Sequence, residues 1–171
     1  MPTHWVNATT DTALDAMLQH AGRVGLMNTE EFTFRSMFMR AAEQPGIRFQ
    51  TEWNKFDLLA QIDTEFTLIE FKYYITRRTQ SLDGKPGNYK GGASKQNEDE
   101  FWRCVNKLAT QAPSQIAERF LVLVYEREYP KRSRFSFHNS YGDITAKPPV
   151  SEVWAITRGP LEARILRVEP A

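Results

Sequence analysis

The sequence predicts an α/β domain with a mixed central β-sheet flanked by helices. The order is helix, three strands, helix, strand, with an added C-terminal β pair. Three observations predict it. Apolar residues recur at helical spacing up to Ala41, and from Ile47 the period turns towards two. A further helical stripe then runs through Phe101, Cys104, Val105 and Leu108. After it comes Phe120-Leu121-Val122-Leu123-Val124, apolar on both faces as a strand inside a sheet is.

Each element has its own signal. Over residues 10–21, Ala13, Leu14, Met17, Leu18 and Ala21 make a helical stripe that Gly22 ends. Asn28 or Thr29 is placed to cap a second helix. Its apolar face is Phe34, Met37, Phe38 and Ala41, and Pro45-Gly46 stops it. Strands are expected over residues 47–53, 56–62 and 66–75, joined by connections short enough for antiparallel hairpins. In the third, Ile69, Phe71 and Tyr73 share one face and Leu68 and Tyr74 the other. Residues 76–94, rich in Gly, Lys and Arg, read as a long loop. Residues 95–111 read as a helix ended before Pro113, and 119–125 as a buried strand. A further loop runs through Pro149. The closing strands, 153–157 and 163–168, flank a turn at Arg158-Gly159-Pro160.

Composition bounds the function class. A chain of 171 residues with 41% apolar content fits one domain, residues 1–171, with a sizeable core. The 22 basic and 21 acidic residues nearly cancel, so net charge says nothing about nucleic acid. Cys104 is the sole cysteine, which excludes an internal disulfide and a multi-thiol zinc site. No stretch has the roughly 18 apolar residues of a membrane span, and residues 1–7 carry no secretory pattern. A cytoplasmic protein with no membrane partner is expected. His4, His20 and His138 lack metal-ligand spacing, and residues 84–94 lack a phosphate-binding-loop register. There is no Gly-x-Ser-x-Gly elbow.

The chemistry-bearing residues lie in the apolar strands. Glu70 and Lys72 are two apart, so they share a strand face. They interrupt Leu68-Ile69-Glu70-Phe71-Lys72-Tyr73-Tyr74, and Asp57 interrupts Phe56-Asp57-Leu58-Leu59-Ala60 in the same way. On an ordinary strand Glu-x-Lys is an exposed ion pair of small consequence. Here the apolar neighbours argue for burial, where a charge needs a partner or a metal. If the two strands pair as a hairpin, Asp57 approaches Glu70. Two close carboxylates repel and call for a cation, and all-oxygen donors suit Mg²⁺ or Mn²⁺.

An Asp opening one strand, followed by Glu-x-Lys on the next, resembles the PD-(D/E)XK motif. It reads Phe56-Asp57 and then Glu70-Phe71-Lys72, with Phe56 in place of the motif's Pro. The element order over residues 28–126 is similar to the core of that nuclease superfamily. The resemblance implies a restriction-endonuclease-like fold and a Mg²⁺- or Mn²⁺-dependent nuclease acting on DNA. It implies Asp57 and Glu70 as metal ligands, with the Phe71 carbonyl as a further one. Lys72 would orient or help deprotonate the attacking water and stabilise charge at phosphorus. Glu31, preferred over Glu30, would join the site from the preceding helix, and Gln96 from the following one. Both also have plain readings, Glu31 as a negative charge at a helix N-terminus and Gln96 as a solvated first-turn residue.

Six basic residues against Asp83 alone cluster in residues 72–95: Lys72, Arg77, Arg78, Lys85, Lys90 and Lys95. Beyond Lys72 these are the candidate phosphate contacts, with Tyr89 available for stacking on bases. Arg127, Lys131, Arg132 and Arg134, near Tyr129 and Phe135, form a second basic patch. So short a chain also fits a homodimer or a subunit with a protein partner. Two other readings stand: a nuclease-fold binding protein without catalysis, such as an immunity protein or nucleic-acid-binding subunit, and a buried ion network in another α/β fold.

Overall fold

The computed structural model describes residues 4–42, 46–75, 77–80, 83, 85–90, 94–127, 141 and 144–171. Among them are three α-helices, α1 (Trp5–Val24), α2 (Glu31–Ala41) and α3 (Lys95–Gln111). The strands are β1 (Ile47–Trp53), β2 (Phe56–Ile62), β3 (Glu65–Tyr74), β4 (Arg77–Gln80), β5 (Pro86–Lys90), β6 (Ile116–Glu126), β7 (Val150–Arg158) and β8 (Leu161–Val168). The fold is α/β, with a six-stranded mixed sheet in the order β1-β2-β3-β6-β8-β7. Among the described strands of this sheet, only β3 and β6 pair in parallel, with α3 on the connection between them. The other neighbours in this sheet are antiparallel.

The two-faced apolar pattern of β3 and β6 fixes where the helices go. Ile69, Phe71 and Tyr73 of β3, with Phe120, Val122 and Val124 of β6, pack against Leu14 and Met17 of α1 and Phe34 and Phe38 of α2. On the other face, Leu68 and Tyr74, with Leu121, Leu123 and Tyr125, meet Phe101, Val105 and Leu108 of α3. Each such buried side chain contributes roughly 1.5–3 kcal/mol by leaving water. This layering makes β3 and β6 the central strands, and β3 carries Glu70 and Lys72.

The hairpins form as the spacing predicts. Asn54 and Lys55 both take positive φ, 48° and 70°, between the paired Trp53 and Phe56. That is a type I′ turn, whose twist matches the flanking strands. At the β7–β8 turn, Gly159 has φ 51°.

Four expectations need correction. The first helix begins at Trp5 rather than near residue 10, with His4 Nδ1 accepting the Val6 amide at 3.3 Å, and it runs through Gly22 to Val24, where Gly25 caps it. Its first turns bury Asn7, Thr9 and Thr10, polar residues invisible to a hydrophobic count. Neither Asn28 nor Thr29 caps α2. Asn28 belongs to a 3-10 turn, Leu26–Asn28, and the Thr29 hydroxyl donates to the Leu26 carbonyl and bonds the Tyr73 hydroxyl. Residues 76–94 are not one long loop, since β4 and β5 pair as a separate antiparallel hairpin. The strands β6, β7 and β8 also run several residues beyond their expected bounds.

Candidate active site

The site is built on the β2–β3 hairpin. Leu58 pairs with Ile69, so the antiparallel register sets Asp57 beside Glu70 one step further along. Asp57 Oδ2 accepts the backbone N–H of Phe71 at 2.8 Å. Its Oδ1 lies 3.5 Å from the Arg35 guanidinium of α2, which also binds Glu52 at 2.6 Å. Asp57 is thus held by the neighbouring strand and by a helix.

Glu70 is 2% exposed. Burial pushes its pKa up to about 7, and the Asp57 charge adds to the rise. Lys107 of α3 makes an ion pair with Glu70 Oε1 and, with Lys72, opposes the shift.

Lys72 stands among acidic groups from two helices. Its Nζ is 3.4 Å from Glu100 of α3 and 3.8 Å from Glu31, the first residue of α2. Burial works to lower the lysine pKa, but the fields of Glu31, Glu100 and Asp57 outweigh it. The net shift is above the ordinary lysine range, so the ammonium stays charged at neutral pH. Glu31 is raised to about 7, chiefly by burial; Lys72 opposes this, while Asp57 and Glu100 add to it. Cys104 is pushed up to about 11 by burial, which keeps its thiol neutral.

The donor set admits a hard cation. Asp57 and Glu70 offer carboxylate oxygens, and a buried, desolvated carboxylate is stabilised by positive charge. Among the described residues, no three His, Cys, Asp or Glu side chains converge as a ready metal cluster. An ion here would therefore take two carboxylates and complete its shell with backbone oxygen or water. The contact between Asp57 and Phe71 runs through the Phe71 amide. The Phe71 ring is fully buried on the opposite face, edge-on to Phe34 and Phe38.

Asp57, Glu70, Lys72 and Glu31 therefore share one electrostatic neighbourhood. Gln96 is exposed on the first turn of α3, and the α3 residue that meets Lys72 is Glu100, one turn on. Lys95 pairs with Glu98 and Asp99 of its own helix, and Lys85 with Asp83. Arg77, Arg78 and Lys90 lie on the β4–β5 backbone, with Arg77 opposite Lys90 and Arg78 opposite Tyr89. The side chains of these four residues lie outside the described part. Of the second basic patch, Arg127 pairs with Glu162 at 3.4 Å. Tyr129, Lys131, Arg132, Arg134 and Phe135 lie outside the described residues.

Sequence reasoning missed Arg35, Glu100 and Lys107. A signal existed for two of them. Glu100 and Lys107 fall at i and i+7, each one position before Phe101 and Leu108 of the apolar stripe of α3. Arg35 follows the buried Phe34 directly, and its spacing marks no face. No helix of the described residues is long and apolar enough to cross a membrane. Comparison with protein-family models, curated proteins and solved structures gives no match for this chain.

Proposed function

We propose that this chain is a Mg²⁺- or Mn²⁺-dependent nuclease of the PD-(D/E)XK kind that hydrolyses DNA phosphodiester bonds. The observation that carries the reading is the buried Glu70 carboxylate, beside Asp57 and on the same strand face as Lys72. Charges in a core strand conflict with packing, and such conflicts are expected at functional sites. The order of α2, β1, β2, β3, α3 and β6 supports the restriction-endonuclease-like reading.

Asp57 and Glu70 would hold the ion, which when bound supplies Lewis acidity and acidifies a bound water. Lys72, kept protonated by Glu31 and Glu100, offers positive charge to an anionic phosphorane and donates to its oxygens. A lysine held in that state is a poor base. The group suited to take a proton near neutral pH is Glu31, whose pKa is about 7. The basic residues of the β4–β5 hairpin would follow the phosphate backbone.

A second reading has its own observation. Asp57 already faces Arg35, and Glu70 already faces Lys107, so internal cations compensate both carboxylates. That arrangement also suits a nuclease-fold binding protein without catalysis. Thermal unfolding with millimolar Mn²⁺ separates the two. Ion binding at 100 times Kd stabilises the native state by about 2.7 kcal/mol. The nuclease reading expects a rise in Tm that Asp57→Asn abolishes. No rise in wild type favours the binding protein.

A further inference from the structure

Resting on the metal reading above, we infer that Lys107 is a resident counter-ion of that site, occupying Glu70 and competing with the divalent cation for it. The ammonium is held from three sides. It makes the ion pair with Glu70 Oε1, donates to the Lys55 backbone carbonyl at 2.9 Å, and lies 4.6 Å from the centroid of the Phe56 ring. Carboxylate, carbonyl and ring face are each attractive to a cation. They come from β3, from the β1–β2 turn and from the start of β2. The type I′ turn at Asn54-Lys55 is therefore part of the site, because it positions the Lys55 carbonyl.

The placement of Lys107 differs from that of Lys72. Lys72 is held by Glu31 and Glu100, and among the described residues Glu70 is not one of its ion-pair partners, so it leaves that carboxylate to Lys107. Lys107 contacts the carboxylate that a metal would need. It reaches that carboxylate from α3 on a flexible stem, with its side chain 24% exposed. An ion bound to Glu70 would require this ammonium to withdraw, a move its partial exposure permits. The apparent metal affinity is then the intrinsic affinity reduced by the fraction of molecules with Glu70 released. If Lys107 holds Glu70 about nine-tenths of the time, metal binding is weakened roughly tenfold. Lys107 would thus set the cation concentration at which the site fills, and it would stabilise the buried carboxylate when no ion is bound.

The test is calorimetric titration of Mn²⁺ into the full-length chain, with metal-free Tm measured in EDTA. Lys107→Met keeps an unbranched apolar side chain of similar length and removes the charge. The expected result is Mn²⁺ binding roughly tenfold tighter than wild type, together with a lower Tm in EDTA that Mn²⁺ restores. The double variant Lys107→Met/Glu70→Gln should lose the gain. Lys72→Met removes a nearby charge without freeing Glu70, and should give a clearly smaller gain. Equal Mn²⁺ affinity in wild type and Lys107→Met, with binding still dependent on Glu70, overturns the counter-ion role and leaves the metal reading standing. An equal gain from Lys72→Met also overturns it, by reducing the effect to general charge. Absence of Mn²⁺ binding in all of these variants removes the metal reading and this inference together.

Discussion

Asp57 and Phe71 are joined across the β2–β3 hairpin, the carboxylate Oδ2 accepting the Phe71 amide at 2.8 Å. One side chain thus serves two ends. It completes the pairing of the two strands, and it lies beside Glu70, the residue before Phe71. Stability and chemistry are coupled at this point.

Asp57→Ala should therefore cost stability even without metal or substrate. It leaves the Phe71 N–H without its acceptor, at a cost of about 1–3 kcal/mol. Urea unfolding in EDTA measures it. Asp57→Asn keeps an acceptor oxygen and should cost less while abolishing metal binding. Equal losses from both would mean that the charge of Asp57, and not its hydrogen bond, holds the hairpin.

Stability in EDTA should fall as pH rises from about 4.5 to 7. Glu70 and Glu31 both have folded pKa values raised from 4.5 to about 7, so the native state binds more protons than the unfolded state across that window. Below it both states are protonated and the stability is fully present; above it the loss is complete. Glu118, lowered chiefly by its hydrogen bond to His4, acts in the opposite sense at more acid pH. Tm followed across pH checks this, and Glu70→Gln should flatten the fall.

Phe71→Ala should be strongly destabilising. The ring is fully buried between the sheet and α2, edge-on to Phe34 and Phe38, with centroids 6.1 and 5.2 Å away. Truncation leaves a cavity and costs about 3–5 kcal/mol. Denaturant unfolding measures it. A loss below about 1 kcal/mol would mean that the helical layer does not depend on this contact.

Ser94→Ala should loosen the start of α3. The Ser94 hydroxyl accepts the Asn97 amide at 3.1 Å. Losing such a cap costs about 1 kcal/mol. Faster amide exchange at Asn97, with little change at Leu108, is the expected pattern.

Much of the scaffold was legible because its signals are local. Runs apolar on both faces around Ile69 and Val122, and the helical stripe of Phe101, Val105 and Leu108, announce buried elements directly. The Asp57–Glu70–Lys72 grouping was legible because charges stand out in apolar strands. The start of α1 was not, because it buries Thr and Asn where a periodicity count looks for Leu. The β4–β5 hairpin was hidden by Gly- and Lys-rich composition that reads as loop. The partners of Lys107 and Arg35 were illegible for a different reason. A lysine or arginine on a helix is ordinary until the packing of that helix is known, and only the fold brings Lys107 to Glu70 and Arg35 to Asp57.

The most direct test of the central claim is cleavage of supercoiled plasmid and labelled single-stranded DNA with Mg²⁺ or Mn²⁺. Wild type is run beside Lys72→Ala. Wild type should cleave in a metal-dependent manner, with cleavage abolished by EDTA and reduced roughly 100-fold or more in Lys72→Ala, as for the loss of one transition-state charge. Undiminished cleavage by Lys72→Ala, or no cleavage of either substrate by a folded wild type with either metal, would contradict the claim.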